Sequence, residues 1–178
     1  MWGEYMGKQK RFIGYTLIIV LVIIFFVYIY PKKIDREINA IMYRLGDSHY
    51  SENIQVDING YFSKGLLKGD RFEGVMTIGE NKLTKINLRF DKFNRGLLFC
   101  YDENTGDYTS YGDMYSDQMM KEFTICILEE DIQGKGGKTW SPIDGLMVAA
   151  PANNRVEAID MSNKLMKDVF DNTVFDEK

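Results

Sequence analysis

From Phe12 to Tyr30 the chain is apolar and uncharged, FIGYTLIIVLVIIFFVYIY, with Gly14 and Thr16 as the only mild interruptions. At about 1.5 Å of rise per residue, a helix of this length spans about 28 Å, matching the hydrocarbon core of a bilayer. Tyr15 at one end and Tyr28 and Tyr30 at the other occupy interfacial positions, with Lys8, Lys10 and Arg11 on one flank and Lys32, Lys33 and Arg36 on the other. The pattern predicts a polar tail over residues 1–11 and a transmembrane signal-anchor helix over residues 12–30. A cleavable signal has a shorter apolar stretch, about 7–15 residues, and small residues before the cut. Here the run closes on Val27-Tyr28-Ile29-Tyr30-Pro31.

Beyond Pro31 the apolar positions change period. Ile34, Ile38, Ile41 and Leu45 recur at spacings of four, three and four, and Gly46 follows. Pro at a first helical position and Gly after the last turn fit such a stripe, so the spacing predicts a juxtamembrane helix over residues 31–46. The stripe covers under two heptads. It is expected to lie against its own domain, with a homodimer or another protein partner through the same four residues as the alternative.

Residues 47–178 then read as one acidic, β-rich domain. Ile54, Val56, Ile58 and Phe62 alternate with polar residues in the manner of a half-buried strand. Further strands are marked by Phe72–Ile78, Ile86–Phe90, Leu97–Tyr101, Tyr108–Tyr115, Phe123–Leu128 and Ile143–Ala149, separated by turn chemistry such as Gly79-Glu80-Asn81 and Asn94-Arg95-Gly96. Short connections imply a largely antiparallel meander of six or seven strands. On this reading a chain starting at Ser48 is soluble.

A helix closes the sequence. Asn154 and Glu157 make an N-terminal capping pattern. Val156, Ile159, Met166 and Phe170 fall on one stripe, and Ala158, Met161, Leu165 and Val169 on a second beside it. A helix this apolar needs two surfaces: the sheet, and, as the expectation stands, the Ile34–Leu45 stripe. The fold class is therefore α+β.

Charge divides along the chain. Residues 1–45 carry seven Lys/Arg against three acids, and residues 46–178 carry fifteen against twenty-three. An acidic domain is repelled by phosphate backbones, so nucleic acid is not an expected partner; the bilayer, through residues 12–30, is. A short tail ahead of an uncleaved anchor places the domain outside the cytoplasm, on a cell membrane crossed once.

Candidate chemistry is sparse. Gly134-Lys135-Gly136-Gly137-Lys138-Thr139 resembles a phosphate loop, but Ile132 stands where the pattern needs its first glycine, and Trp140-Ser141-Pro142 replaces the helix. Asp102-Glu103-Asn104-Thr105-Gly106-Asp107 approaches a calcium loop, but glycine falls one place early and Asp113 stands at the twelfth position. Neither predicts a cofactor or metal. His49 is the only histidine, and Cys100 and Cys126 are expected to be buried free thiols, with a disulfide as the alternative in an oxidising compartment. The most unusual composition is tyrosine interleaved with aspartate. Tyr108, Tyr111, Tyr115, Asp113 and Asp117 are the candidate partner surface, weighed against ordinary packing on a sheet.

Gly14-Tyr15-Thr16-Leu17-Ile18 is similar to the processing site of type IV pilin-like proteins, which also continue from an apolar helix into an antiparallel sheet. Ile13 stands where that family has a basic residue, and Ile19 where it has a glutamate. The resemblance implies a pilin-like subunit as an alternative function. The sequence points first to a membrane-anchored, extracytoplasmic, non-enzymatic binding or interaction module. An enzyme using carboxylate and tyrosine chemistry is a further alternative.

Overall fold

The computed structural model describes residues 2–65, 69–101, 105–130, 137–170 and 175. Helix α1 runs Trp2–Ile29. Its Phe12–Ile29 stretch is long and apolar enough to cross a membrane, and none of that stretch is buried against the rest of the chain.

The chain then enters a strand, not a second helix. Strand β1 covers Lys32–Arg44 and is followed by β2 (Asp47–Ser63), β3 (Arg71–Ile78), β4 (Asn81–Arg89), β5 (Arg95–Tyr101), β6 (Tyr108–Ser116) and β7 (Phe123–Ile127). A short hairpin of β8 (Glu129–Glu130) and β9 (Lys138–Thr139) precedes β10 (Leu146–Ala150) and helix α2 (Arg155–Met166). The predicted juxtamembrane helix is thus overturned. β1 is covered on both faces where β10 and α2 meet it, so its apolar positions do not alternate cleanly, and the residual spacing mimics a helical stripe. As a strand it splits that stripe. Ile34 is buried in one core with Ile38 packed against it, while Ile41 and Leu45 are buried in another.

Eight strands form one antiparallel sheet in the order β4-β3-β2-β1-β10-β7-β6-β5. β1 to β4 pair in sequence order, as do β5 to β7, and β10 joins β7 to β1, so the two edge strands left over are the consecutive pair β4 and β5. The register shows that the sheet curls until they meet. Lys32 pairs with Phe62, Phe62 with Phe72, and Phe72 with Leu88. Across the seam Leu88 abuts Gly96, where a Cβ would come within 2.5 Å of the leucine Cδ1. The ladder continues through Met114, Ile125 and Val148 to Met42, ten residues along β1 from Lys32. Such a stagger lets tilted strands close into a barrel.

The barrel interior is filled. Val56, Ile58, Phe62, Phe72, Met76, Leu88, Met114, Phe123, Ile125 and Val148 point into one cluster, as expected where eight strands leave room only for side chains. A 3-10 turn at Gln118–Met120 closes the end where β1 begins, with Met120 fully buried.

Helix α2 lies outside the barrel on Ile41, Tyr43, Leu45, Cys126, Met147 and Ala149. The expected contact with Ile41 and Leu45 is therefore present, through a strand. The helix is shorter than its apolar pattern, and Val156 is exposed. Its second face is covered by Trp140, Phe170 and Phe175, the last held by both amide atoms of Asn163 at 2.8 and 3.1 Å. The cap forms as read: Asn154 Oδ1 accepts from the Glu157 amide at 3.0 Å, and the Glu157 carboxylate accepts from the Asn153 amide at 2.9 Å.

One polar cluster fixes the helix on the sheet. The Tyr43 hydroxyl donates to Ser162 Oγ at 2.7 Å, and Thr124 Oγ1 lies 2.7 Å from the same oxygen. Tyr43, Thr124 and Ser162 are all fully buried. Ser162→Ala strands the tyrosine hydroxyl with only the Met147 sulfur at 3.5 Å. It is expected to cost about 1–3 kcal/mol in a denaturant melt. No change in the midpoint would show that the cluster contributes nothing.

Candidate functional site

The barrel wall separates the residues that the sequence groups together. Tyr111 turns inward against the main core, and Tyr115 is buried outside under Phe170, 6.5 Å between ring centroids. Asp113 accepts from Arg95 Nη2 at 2.9 Å. Asp117 Oδ1 accepts from the backbone amides of Lys121 and Glu122 at 2.7 and 2.9 Å, which shapes the turn that plugs the barrel end. Tyr108 alone stays exposed. These five residues therefore do not form one surface.

Tyr108 belongs to a different grouping. β5 and β6 lack one-to-one register between Leu98 and Phe99, which places Phe99, Tyr101 and Tyr108 together on the outer face. The Tyr101 and Tyr108 rings sit 5.0 Å apart, and Lys85 Nζ, reaching over from β4, lies 3.6 Å from the Tyr101 centroid. Lys85 has a positive φ of 52°, an uncommon backbone conformation for a side-chain-bearing residue. Lys85, Asn87, Phe99 and Tyr108 line an open depression of about 340 Å³ over the unpaired seam. Two aromatic faces, an amide and a cation suit it to contact with an apolar or planar group. The sequence signal for it was weak. Of its four lining residues only Tyr108 belongs to the candidate partner surface, and Lys85 and Phe99 join it through a seam that no local spacing encodes.

The strongly perturbed groups lie elsewhere, and burial moves each upward. Burial holds the phenols of Tyr43, Tyr111 and Tyr115 above the usual tyrosine range, the last two at about 12, and raises the Cys126 thiol. These are neutral, packed groups. Cys126 faces the helix side of the wall while Cys100 packs against the interior, and both are free. His49 is exposed, 3.8 Å from Asp47. Among the described residues, no three His, Cys, Asp or Glu side chains gather as a metal set. The glycine-rich segment at Gly134–Gly136 and the acidic run Asp102–Asn104 lie outside the described residues. Lys138–Thr139 forms a strand where a phosphate loop would need a helix.

The buried phenols predict an alkaline transition. A raised folded pKa means that the folded state holds its proton longer than the unfolded chain does. The associated stability is complete below about pH 10 and is lost as pH rises through about 12. Phenolate absorbance followed together with circular dichroism should show these tyrosines ionising only as structure is lost. Full ionisation of every tyrosine in a still-folded protein would contradict this burial.

No family model matches the chain, nor does any curated protein or solved structure.

Proposed function

We propose that the protein is a membrane-anchored, extracytoplasmic interaction module, non-enzymatic, that presents the outer wall of its barrel to a partner. The observation that carries this reading is the filled interior. With side chains from all eight strands packed inside, recognition falls to the outer surface. There the seam depression offers Phe99 and Tyr108, 39% and 55% exposed, beside Lys85. Exposed aromatics grouped with a cation are favoured at recognition surfaces. The uncharged, unburied Phe12–Ile29 helix supports single-pass anchoring in a cell membrane.

A photo-crosslinking side chain placed at Tyr108 tests the reading in the native membrane. Tyr61, 55% exposed on β2, serves as the control position. A discrete adduct at Tyr108 that is absent at Tyr61 is expected. Equal adducts at both positions, or none at Tyr108, would overturn the assignment of the seam as the contact surface.

A further inference from the structure

The direction of each strand fixes which loops lie at each end of the barrel. Helix α1 ends at Ile29 and β1 begins at Lys32, so the start of β1 stands within about 10 Å of the helix end. The β2–β3, β4–β5 and β6–β7 connections share that end, because strands alternate in direction around the barrel.

The excess of charge differs in sign between the two ends. At the helix-side rim, Asp70, Glu73 and Glu122 are paired with Lys64, Arg71 and Lys164. Asp91 and Asp117 accept backbone amides within their own turns. Lys32, Arg89, Lys92 and Lys121 are exposed there and have no carboxylate partner among the described residues. Phe93, 40% exposed, projects from the β4–β5 turn with Lys92 Nζ 4.7 Å from its ring centroid. The opposite rim carries exposed Glu52, Glu80, Asp107, Glu130 and Asp144 against exposed Lys82 and Lys138, again without ion pairs among the described residues, and so has an acidic excess.

We propose that the helix-side rim is a second membrane contact: Lys32, Arg89, Lys92 and Lys121 bind anionic lipid headgroups, and Phe93 enters the interface between them. This inference rests on the anchor reading, since the helix is what brings the rim to the bilayer. A basic cluster held within a Debye length of an anionic surface is attracted to it, and an aromatic tip adds an interfacial anchor. The acidic far rim is repelled by the same surface, so the charge pattern orients the barrel upright on the membrane.

The test uses the full-length protein in vesicles of phosphatidylcholine alone and of phosphatidylcholine mixed with phosphatidylglycerol. A membrane-impermeant acetylating reagent reports on each lysine by mass spectrometry. Lys32, Lys92 and Lys121 are read against Lys82 and Lys138, which lie towards the opposite end of the barrel. Molecules facing inward lower all five signals together and leave the ratio unchanged. The near-to-far ratio is expected to fall at least roughly threefold in the anionic vesicles. It should recover at about 1 M salt, where the Debye length is about 3 Å. Equal ratios in the two compositions, with the protein floating with both, would overturn the rim contact and leave the anchor standing. Failure to float with either would overturn the anchor and the rim contact together.

Discussion

Removal of residues 1–31 should yield a soluble, cooperatively folding barrel, whereas removal of residues 1–47 should yield no folded protein. The second cut deletes β1, whose ladder joins β2 on one side and β10 on the other. It also deletes the buried side chains of Ile34, Ile41 and Tyr43. At about 1.5–3 kcal/mol for each large apolar side chain, and with β2 and β10 each losing one of two neighbours, the loss consumes most of the roughly 5–15 kcal/mol that stabilises a domain. The soluble Ser48 start expected from the sequence is therefore withdrawn, and the boundary moves to Lys32. Thermal melts of the two truncated chains distinguish the readings. A cooperative transition in the chain starting at Ser48 would mean that β1 is not a structural strand.

Phe72→Ala should be the most damaging single truncation in the barrel. Its ring lies over the directly paired Gly60 and Gly74, where an added Cβ would stand 2.8 and 2.9 Å from ring carbons. The two glycines let the backbones of β2 and β3 approach and leave a slot that only the ring fills. β3 is held by ladders to β2 and β4 on its two sides and cannot collapse into the space, so the cavity persists and about 3–5 kcal/mol is lost. Outside the barrel, Met166→Ala should cost about 2–5 kcal/mol, and Leu165→Ala less, because Leu165 is only partly buried. Chemical denaturation of the three variants checks the order. A Phe72→Ala midpoint equal to wild type would contradict the filled interior.

The helical ends and the alternating strands were legible because their signals are local. Phe12–Tyr30 is uniformly apolar, Asn154 and Glu157 satisfy a cap within one turn, and Ile54–Ile58 alternates on a strand with one dry face. β1 was misread because both its faces are covered around Ala40–Tyr43, which removes the two-residue period. Closure of the barrel was not legible at all. It depends on the β1–β10 pairing of residues more than a hundred positions apart, such as Ile41 with Ala149. The tyrosine surface failed for a related reason: Tyr111 falls where the β5–β6 register shifts, and it turns inward while Tyr115 faces out. The seam depression could be seen only once β4 and β5 were known to meet.

We propose that residues 12–29 hold this barrel in a membrane as an integral anchor. Alkaline carbonate extraction of membranes containing the full-length protein distinguishes an integral anchor from a peripheral helix. A spanning apolar helix has no soluble alternative, so the protein should remain entirely in the membrane pellet after carbonate and high-salt washing. The chain shortened to start at Lys32 should be recovered in the supernatant under the same treatment. Release of the full-length protein into the supernatant would show that the helix does not span the bilayer.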